Sequence, residues 1–418
     1  MLRFLLRSLT LLLLFFTLTA CHNTPINNIT TVTLSGWQSS LEEKQLLEQV
    51  LKDFETIHPN IHVKFETITD QYMDVIKTRL IGNAAPDIFY LDTLEAPLLM
   101  SSGVLEPLNN YISPEFDLAD FKPELLEAFK YKNTLYGLPK DFSTLSLYYN
   151  KRAFEKAQLT HPPKTWKELR EYAQRLTLDT DSDGRPEQYG FGLSPELARL
   201  AFLIKAYGGK LINSQGNAAF ATSRSLKGLE SLTNFYQIDR TAATPSDVGT
   251  SSSSEMLGQG KTAMVLDGSW GIPYLQKTFP NLEFGMAEIP TENGKYGTMI
   301  YTVAYGMNAQ SIHKEAAWEV ISYLTGKEGM KAWAKGGLVL PTRQSVLAEL
   351  GYEDNPLYRP FLRGSRYATL WQGHENLPTI ITHFNNQFLS VLLGEQSLKM
   401  AMKKAEETAN KEIQAVNY

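Results

Sequence analysis

The chain has 418 residues, a formal charge of −5, 43% hydrophobic and 20% charged residues, a balance that excludes intrinsic disorder and offers no basic surface for nucleic acid. Its single cysteine excludes an intrachain disulfide, so stability must come from apolar cores, and the length suggests two domains. The 20 Tyr, 20 Phe and 6 Trp are mostly core material, with enough left over to line a stacking cleft.

The chain opens with a basic pair, Arg3 and Arg7, then an apolar run from Leu9 to Leu18 that is too short for a membrane span, then small residues before Cys21. This predicts a signal peptide over 1–20. Leu18-Thr19-Ala20-Cys21 resembles a bacterial lipobox, which implies acylation of Cys21 and a periplasmic, extracytoplasmic protein tied to a membrane through that lipid. An ordinary cleaved signal peptide is the alternative. Residues 21–30 read as a polar tether, and no second apolar stretch is long enough to span a bilayer.

Folding begins with a strand over Thr31–Ser35. Ser40-Leu41-Glu42-Glu43 then opens a helix as a capping box, and Leu46, Leu47, Val50, Leu51, Phe54 and Ile57 fall on one stripe of it before Pro59-Asn60. Ile61, Val63 and Phe65 alternate with polar residues as a strand, a helix follows over Tyr72–Leu80, and Ile88–Leu91 is a short strand apolar on both faces. The order β-α-β-α-β predicts a parallel sheet with right-handed crossovers. Such a sheet gathers the carboxyl ends of its strands on the edge where open α/β folds bind ligands. Trp37 and Gln38, after the first strand, and Asp92, after the third, should share that rim.

A second α/β region starts near Tyr136, with a strand over Leu145–Tyr149 and helices over Trp166–Leu176, Ala201–Tyr207, Ser225–Tyr236 and Glu315–Leu324. A long amphipathic helix covers Ser397–Gln414. The stretch Thr241–Ser254, with serine at all four positions from 251 to 254, reads as a mobile loop.

Motifs for catalysis do not close. Gly260-Lys261-Thr262 lacks the first glycine of a P-loop, because Glu255 stands there; Pro59 and Asn60 break any zinc helix between His58 and His62; Gly268-Ser269-Trp270-Gly271 lacks the spacing of a nucleophile elbow. Asp179, Asp181, Asp183 and Gly184 reproduce the first half of a calcium loop, but the twelfth position is Gly190 rather than the closing glutamate. Either a structural calcium or a solvated acidic turn fits that spacing.

Several segments in order resemble the family 1 extracellular solute-binding proteins of bacterial ABC importers, the sugar-binding group that includes maltose- and trehalose-binding proteins. They are Ala85-Pro86-Asp87-Ile88, Tyr136-Gly137-Leu138-Pro139 with Leu147-Tyr148-Tyr149-Asn150-Lys151, and Pro163-Lys164-Thr165-Trp166. Asp181-Ser182-Asp183-Gly184 with Tyr189-Gly190, Gly260-Lys261-Thr262-Ala263-Met264 with Asp267-Gly268-Ser269-Trp270, Lys314-Glu315-Ala316-Ala317-Trp318, and Gly336-Gly337-Leu338-Val339-Leu340-Pro341 continue the match.

The resemblance implies a two-lobed periplasmic-binding-protein fold of type II-like form, each lobe a mostly parallel sheet flanked by helices. Residues 30–139 plus 300–345 would form one lobe and 140–299 plus 346–418 the other, with the ligand in the cleft between them. It implies a monomer that needs no cofactor, binds a di- or oligosaccharide or a glucoside, and delivers it to ABC permease subunits in the inner membrane. A sugar presents apolar C–H faces and a girdle of hydroxyls, so its site takes flat aromatics and bidentate polar groups. On that basis the resemblance points to Trp270 as a stacking residue, to Trp37, Gln38, Asp92 and Asp141, and further to Glu196, Arg199, Tyr301, Arg343, Trp371 and His374. Ser143 stands where the maltose-binding branch has a glutamate, which argues against maltose. A membrane-anchored carbohydrate hydrolase, or the same fold with a polyamine, phosphate ester or peptide as ligand, are the competing readings.

Overall fold

The computed structural model describes residues 29–416 except Ser39. The predicted signal peptide, the expected acylation site at Cys21 and nearly all of the expected tether lie outside the described residues. Strand β1 (Thr30–Gly36), helix α1 (Leu41–Ile57), β2 (Ile61–Thr67), α2 (Tyr72–Ile81) and β3 (Ile88–Asp92) follow one another as the predicted β-α-β-α-β unit. β1 lies between β2 and β3 and is parallel to both. The Ser40 hydroxyl accepts the Glu43 N–H at 3.2 Å and fixes the start of α1. Leu47, Val50, Leu51 and Phe54 are buried along its stripe, whereas Ile57 is 63% exposed because the helix ends where the stripe leaves the core.

Strand β4 (Gly137–Thr144) is buried over its whole length, an element that alternation does not reveal because Lys140, Asp141, Ser143 and Thr144 interrupt its apolar positions. After Leu145 the chain passes into β5 (Ser146–Asn150), which belongs to a different sheet. There follow α3 (Trp166–Leu176), β6 (Phe191–Gly192), α4 (Leu197–Ala206), α5 (Ser223–Gln237), β7 (Ala242–Ala243), α6 (Ser253–Gly258), β8 (Met264–Asp267), α7 (Gly271–Thr278) and β9 (Phe284–Ala287). The chain then enters the long β10 (Met299–Met307), α8 (Lys314–Thr325), α9 (Lys327–Ala334), β11 (Thr369–Leu370), α10 (Leu377–Leu392) and α11 (Leu398–Val416). Among the described residues no helix is long and apolar enough to cross a membrane.

The first sheet runs β11-β10-β3-β1-β2, with β4 also paired to β10; the second runs β9-β5-β8-β6-β7. These are two lobes, each with its own core. Val32, Phe54, Ile88 and Leu91 join Ala304, Val320 and Trp333 in one, and Leu147, Trp166, Leu203 and Leu266 join Phe384 and Ala405 in the other. A third cluster, with Phe142, Tyr148, Val265, Ile272 and Leu340, covers the other face of the second sheet.

Three expectations change. The second sheet is mixed rather than mostly parallel, since β5 is antiparallel to both β8 and β9. β11 adds to the first sheet although it lies in the span 346–418. Thr241–Ser254 is not a mobile loop: it forms β7, a capped 3-10 turn and the start of α6, with Thr241, Thr244, Ser253 and Ser254 buried. There Asp247 Oδ2 accepts both the Thr244 N–H and the Thr244 hydroxyl at 2.7 Å, so the polar run is internally satisfied.

Candidate functional site

Parallel β1 and β3 end on one rim, as their order requires. Trp37 leaves β1 and packs edge-on against Tyr72 and Tyr90, with ring centroids 5.0 Å and 5.2 Å away. Gly36 is required beneath it, because a Cβ there would sit 2.6 Å from the Tyr90 ring. Gln38 is half-buried beside it, and its amide nitrogen has no hydrogen-bond partner among the described residues. Asp92 ends β3 with its carboxylate accepting the Leu94 N–H at 2.8 Å. Burial pushes its carboxyl up to about 6; the Leu94 amide opposes the rise and Glu95 adds to it.

Strand β10 carries this rim toward the other lobe. Its Val303 has Asp92 as register partner on one side and Asp141 on the other, which puts the two aspartates at one level about 10 Å apart across the sheet. Tyr301, two residues earlier and hence on the same face, has its ring centroid 6.4 Å from that of Trp270. Its hydroxyl donates to the Ala198 carbonyl at 2.7 Å, and burial pushes that hydroxyl's pKa upward.

Behind Trp270 lies a carboxylate whose two oxygens are both in use. Asp267 Oδ1 accepts from Arg199 Nη1 at 3.0 Å, Gly268 N–H at 2.9 Å and Trp270 Nε1 at 3.0 Å, while Oδ2 accepts from Ser254 N–H at 3.1 Å and Ser254 Oγ at 2.6 Å. The indole lies over Gly268, where a Cβ would come within 2.2 Å of it. Arg199, near the start of α4, also pairs with the exposed Glu196 at 3.4 Å. Burial alone would lower the arginine's pKa, but Asp267, Tyr301 and Glu196 outweigh it and hold the guanidinium charged.

The structure therefore brings Asp92, Glu196, Arg199, Trp270 and Tyr301 into one neighbourhood, with Trp37 and Gln38 on the same rim as Asp92. Asp141 is at the same level but buried and engaged: its Oδ2 takes the Lys140 ammonium and accepts Trp333 Nε1 at 3.1 Å. Ser143 is consumed as well, its Oγ accepting the Ser269 N–H at 2.9 Å.

Arg343 departs from its expected role as a ligand residue. It is 1% exposed, and its guanidinium donates to the carbonyls of Thr325, Asp117 and Phe116 at 2.7, 3.0 and 2.9 Å while lying between the Phe116 and Phe121 rings. Such a group braces the lobe. Trp371 is buried in the second core and, with Lys205, Leu211 and the exposed His374, lines a recess of about 320 Å³. The parallel pairing of β11 with β10 continues at Trp371, whose N–H donates to the Ile300 carbonyl at 2.9 Å, so Trp371 is beside Tyr301 while His374 lines the recess at the far end of α4 from Arg199.

In the acidic turn the oxygens that converge, within 4.8 Å, belong to Asp179, Asp181 and Glu187, all exposed. Asp183 instead accepts the Arg185 N–H at 2.7 Å, and Asp179 accepts that of Gly184 at 3.0 Å. The turn thus keeps its shape through its own amides.

Three residues of this region were not singled out from sequence: Tyr90, Lys140 and Trp333. A lysine next to an aspartate inside an otherwise buried strand is the signal that could have found Lys140.

Comparison with known proteins bears on the family and the fold. The family model for bacterial extracellular solute-binding protein matches residues 38–331. A maltotriose-binding protein of Pyrococcus abyssi is 24% identical, over 78% of this chain and 70% of its own length. A galactooligosaccharide-binding protein of Bacillus subtilis is 22% identical, over 91% and 89%. A Thermotoga lettingae ABC transporter solute-binding protein solved with α-D-tagatose superposes with a TM-score of 0.81 at 27% identity, covering 91% of this chain and 99% of its own. An ABC substrate-binding protein of Listeria monocytogenes in complex with cycloalternan shares the fold, with a TM-score of 0.83, 23% identity and coverage of 92% and 99%. The family match spans most of the chain and both lobes contribute to one rim, so this protein belongs to the bacterial extracellular solute-binding protein family.

Proposed function

We propose that the chain captures an oligosaccharide or glycoside outside the inner membrane and passes it, chemically unchanged, to the permease of an ABC importer. The observation that carries this reading is the Trp270–Asp267–Arg199–Tyr301 group beside Asp92: a half-exposed indole whose N–H is already bonded, next to a charged guanidinium and an aspartate. An aromatic face with bidentate polar groups is what a pyranose needs. The sugars named for the relatives support the same class. Binding closes the lobes, because contacts to both are made only in the closed form. The protein acts as a monomer held beside its permease by lipid on Cys21.

The test is a thermal-shift panel of malto-, manno- and galactooligosaccharides and tagatose, because a ligand that binds only the native state raises the midpoint by mass action. At least one sugar is expected to do so and to be recovered intact. A panel without any shift would overturn the sugar reading, and released monosaccharide would favour the hydrolase.

A further inference from the structure

Successive residues of a strand point to opposite faces, yet Lys140 and Asp141 reach each other. The pairing of β4 with β10 shows why. Val303 is opposite Asp141 and Ala304 is opposite Pro139, so Lys140 is an extra residue, a bulge that turns its side chain to the side of Asp141. The two form an ion pair with 4% and 8% of their side chains exposed. The Lys140 ammonium also lies 4.5 Å from the centroid of Trp333 and 4.6 Å from that of Tyr90. Asp141 Oδ2 accepts Trp333 Nε1, so the lysine, the carboxylate and the indole close a ring of contacts. Tyr90 in turn meets Trp37 edge-on at 5.2 Å.

This cluster lies where two passages of the chain are bonded together. Phe142 and Leu340 exchange backbone hydrogen bonds of 3.0 Å in both directions, and the Thr342 hydroxyl donates to the Pro139 carbonyl at 2.7 Å. Beyond Thr144, β4 continues into the second lobe. A buried ion pair contributes little net stability compared with an apolar pair of the same volume, and its retention suits a positioning role better than a stabilising one.

We propose that Lys140 is a positioning residue that ties the aromatic wall of the first lobe, Trp333 and Tyr90 with Trp37 beyond it, to the strand that crosses between the lobes, so that wall and crossing strand move together. This rests on the sugar-binding reading only for its effect on affinity. The wall itself can be observed without ligand.

The experiment incorporates 5-fluorotryptophan into the full chain and assigns the six indoles by Trp→Phe variants. Lys140→Met with Asp141→Asn removes both charges while keeping volume and an acceptor for the Trp333 N–H. The fluorine resonances of Trp333 and Trp37 are expected to move, while that of Trp166, in the core of the second lobe, stays in place. Lys140→Arg, which keeps the cation, is expected to leave Trp37 near its original position. An unmoved Trp37 resonance would overturn the proposal, since Lys140 would then be packing only against its neighbours. Affinity for the sugar with the largest thermal shift is expected to fall roughly tenfold in the double variant and to recover in Lys140→Arg. Unchanged affinity alongside a moved Trp37 would overturn the positioning role in binding. A panel without hits sinks the sugar reading alone and leaves the fluorine result to decide. Should the double variant fail to fold, Asp141→Asn alone is read in the same way.

Discussion

Trp270 and Asp267 divide one task between them. The carboxylate takes five hydrogen bonds and fixes the indole edge, which leaves the ring's face for a ligand. Trp270→Ala should therefore cost binding about 2 kcal/mol or more, as anchoring aromatics do. Folding should survive, because Arg199, Gly268 and Ser254 still satisfy Asp267. Calorimetry that finds the affinity unchanged would take Trp270 out of the site. Asp92 makes a second prediction, on pH. Its carboxyl is raised from 3.8 to about 6, so the folded protein binds a proton where the unfolded chain has released it. Asp92 thus adds stability that is present below about pH 4 and fades as pH rises through about 6. Under the proposed function binding has the opposite sign, because a sugar hydroxyl would donate to the ionised form. Affinity is expected to rise between about pH 5 and about pH 7.5, and Asp92→Asn should flatten that profile. The aspartate could be read from sequence because strand order alone puts it on the rim. Arg343 could not be told from a ligand residue, because its burial between Phe116 and Phe121 depends on contacts distant in sequence.

At the scale of elements, β3 begins and ends with an aspartate of different use. Asp92 is at the carboxyl end, on the ligand side. Asp87, just before the strand, takes hydrogen bonds from the Thr33 N–H at 2.8 Å, Thr33 Oγ1 at 2.7 Å and Ser311 Oγ at 2.6 Å, and so pins β1, β3 and the segment after β10 at the opposite edge. The Ala-Pro-Asp-Ile motif is thereby explained as a brace. Asp87→Ala should destabilise by roughly 1–3 kcal/mol in urea titration, since it leaves half-buried donors on Thr33 and Ser311 without their acceptor, while the affinity of the folded fraction stays unchanged. A loss of affinity with little loss of stability would contradict this. Elements with regular periods were legible: α3 spans Trp166–Leu176 as expected, and the structure adds Thr165 as its N-cap. The Thr241–Ser254 stretch was not, because Thr244 and Asp247 within it satisfy one another in a compact turn, and β4 was not, because its polar residues are satisfied by distant partners. The Thr144 hydroxyl, for example, donates to the Phe361 carbonyl at 3.0 Å. A local pattern cannot reveal a partner that far along the chain.

Across the whole molecule one exposed contact joins the two lobes at the mouth of this rim. Lys277, in the last turn of α7 beyond Trp270, pairs with Glu42, in the first turn of α1 beyond Gln38. Among the described residues it is the ion pair that links α1 to the helix following Trp270. A hydrogen bond from Lys277 is the main cause that draws Glu42 down to about 2, so the pair remains charged throughout the range in which Asp92 titrates. The two effects on binding therefore separate: pH reports Asp92, and ionic strength reports the pair. An exposed pair adds little to stability and is screened by salt. It can still slow opening, since the lobes must part before the ligand leaves. Lys277→Met is expected to speed ligand dissociation about two- to threefold in dilute buffer, and that difference should vanish near 1 M salt. Glu42→Gln should do the same, and combining the two should add nothing further, because each removes the same contact. Stopped-flow dissociation at low and high salt checks this: equal rates for wild type and variant in dilute buffer would mean that the pair does not hold the closed form.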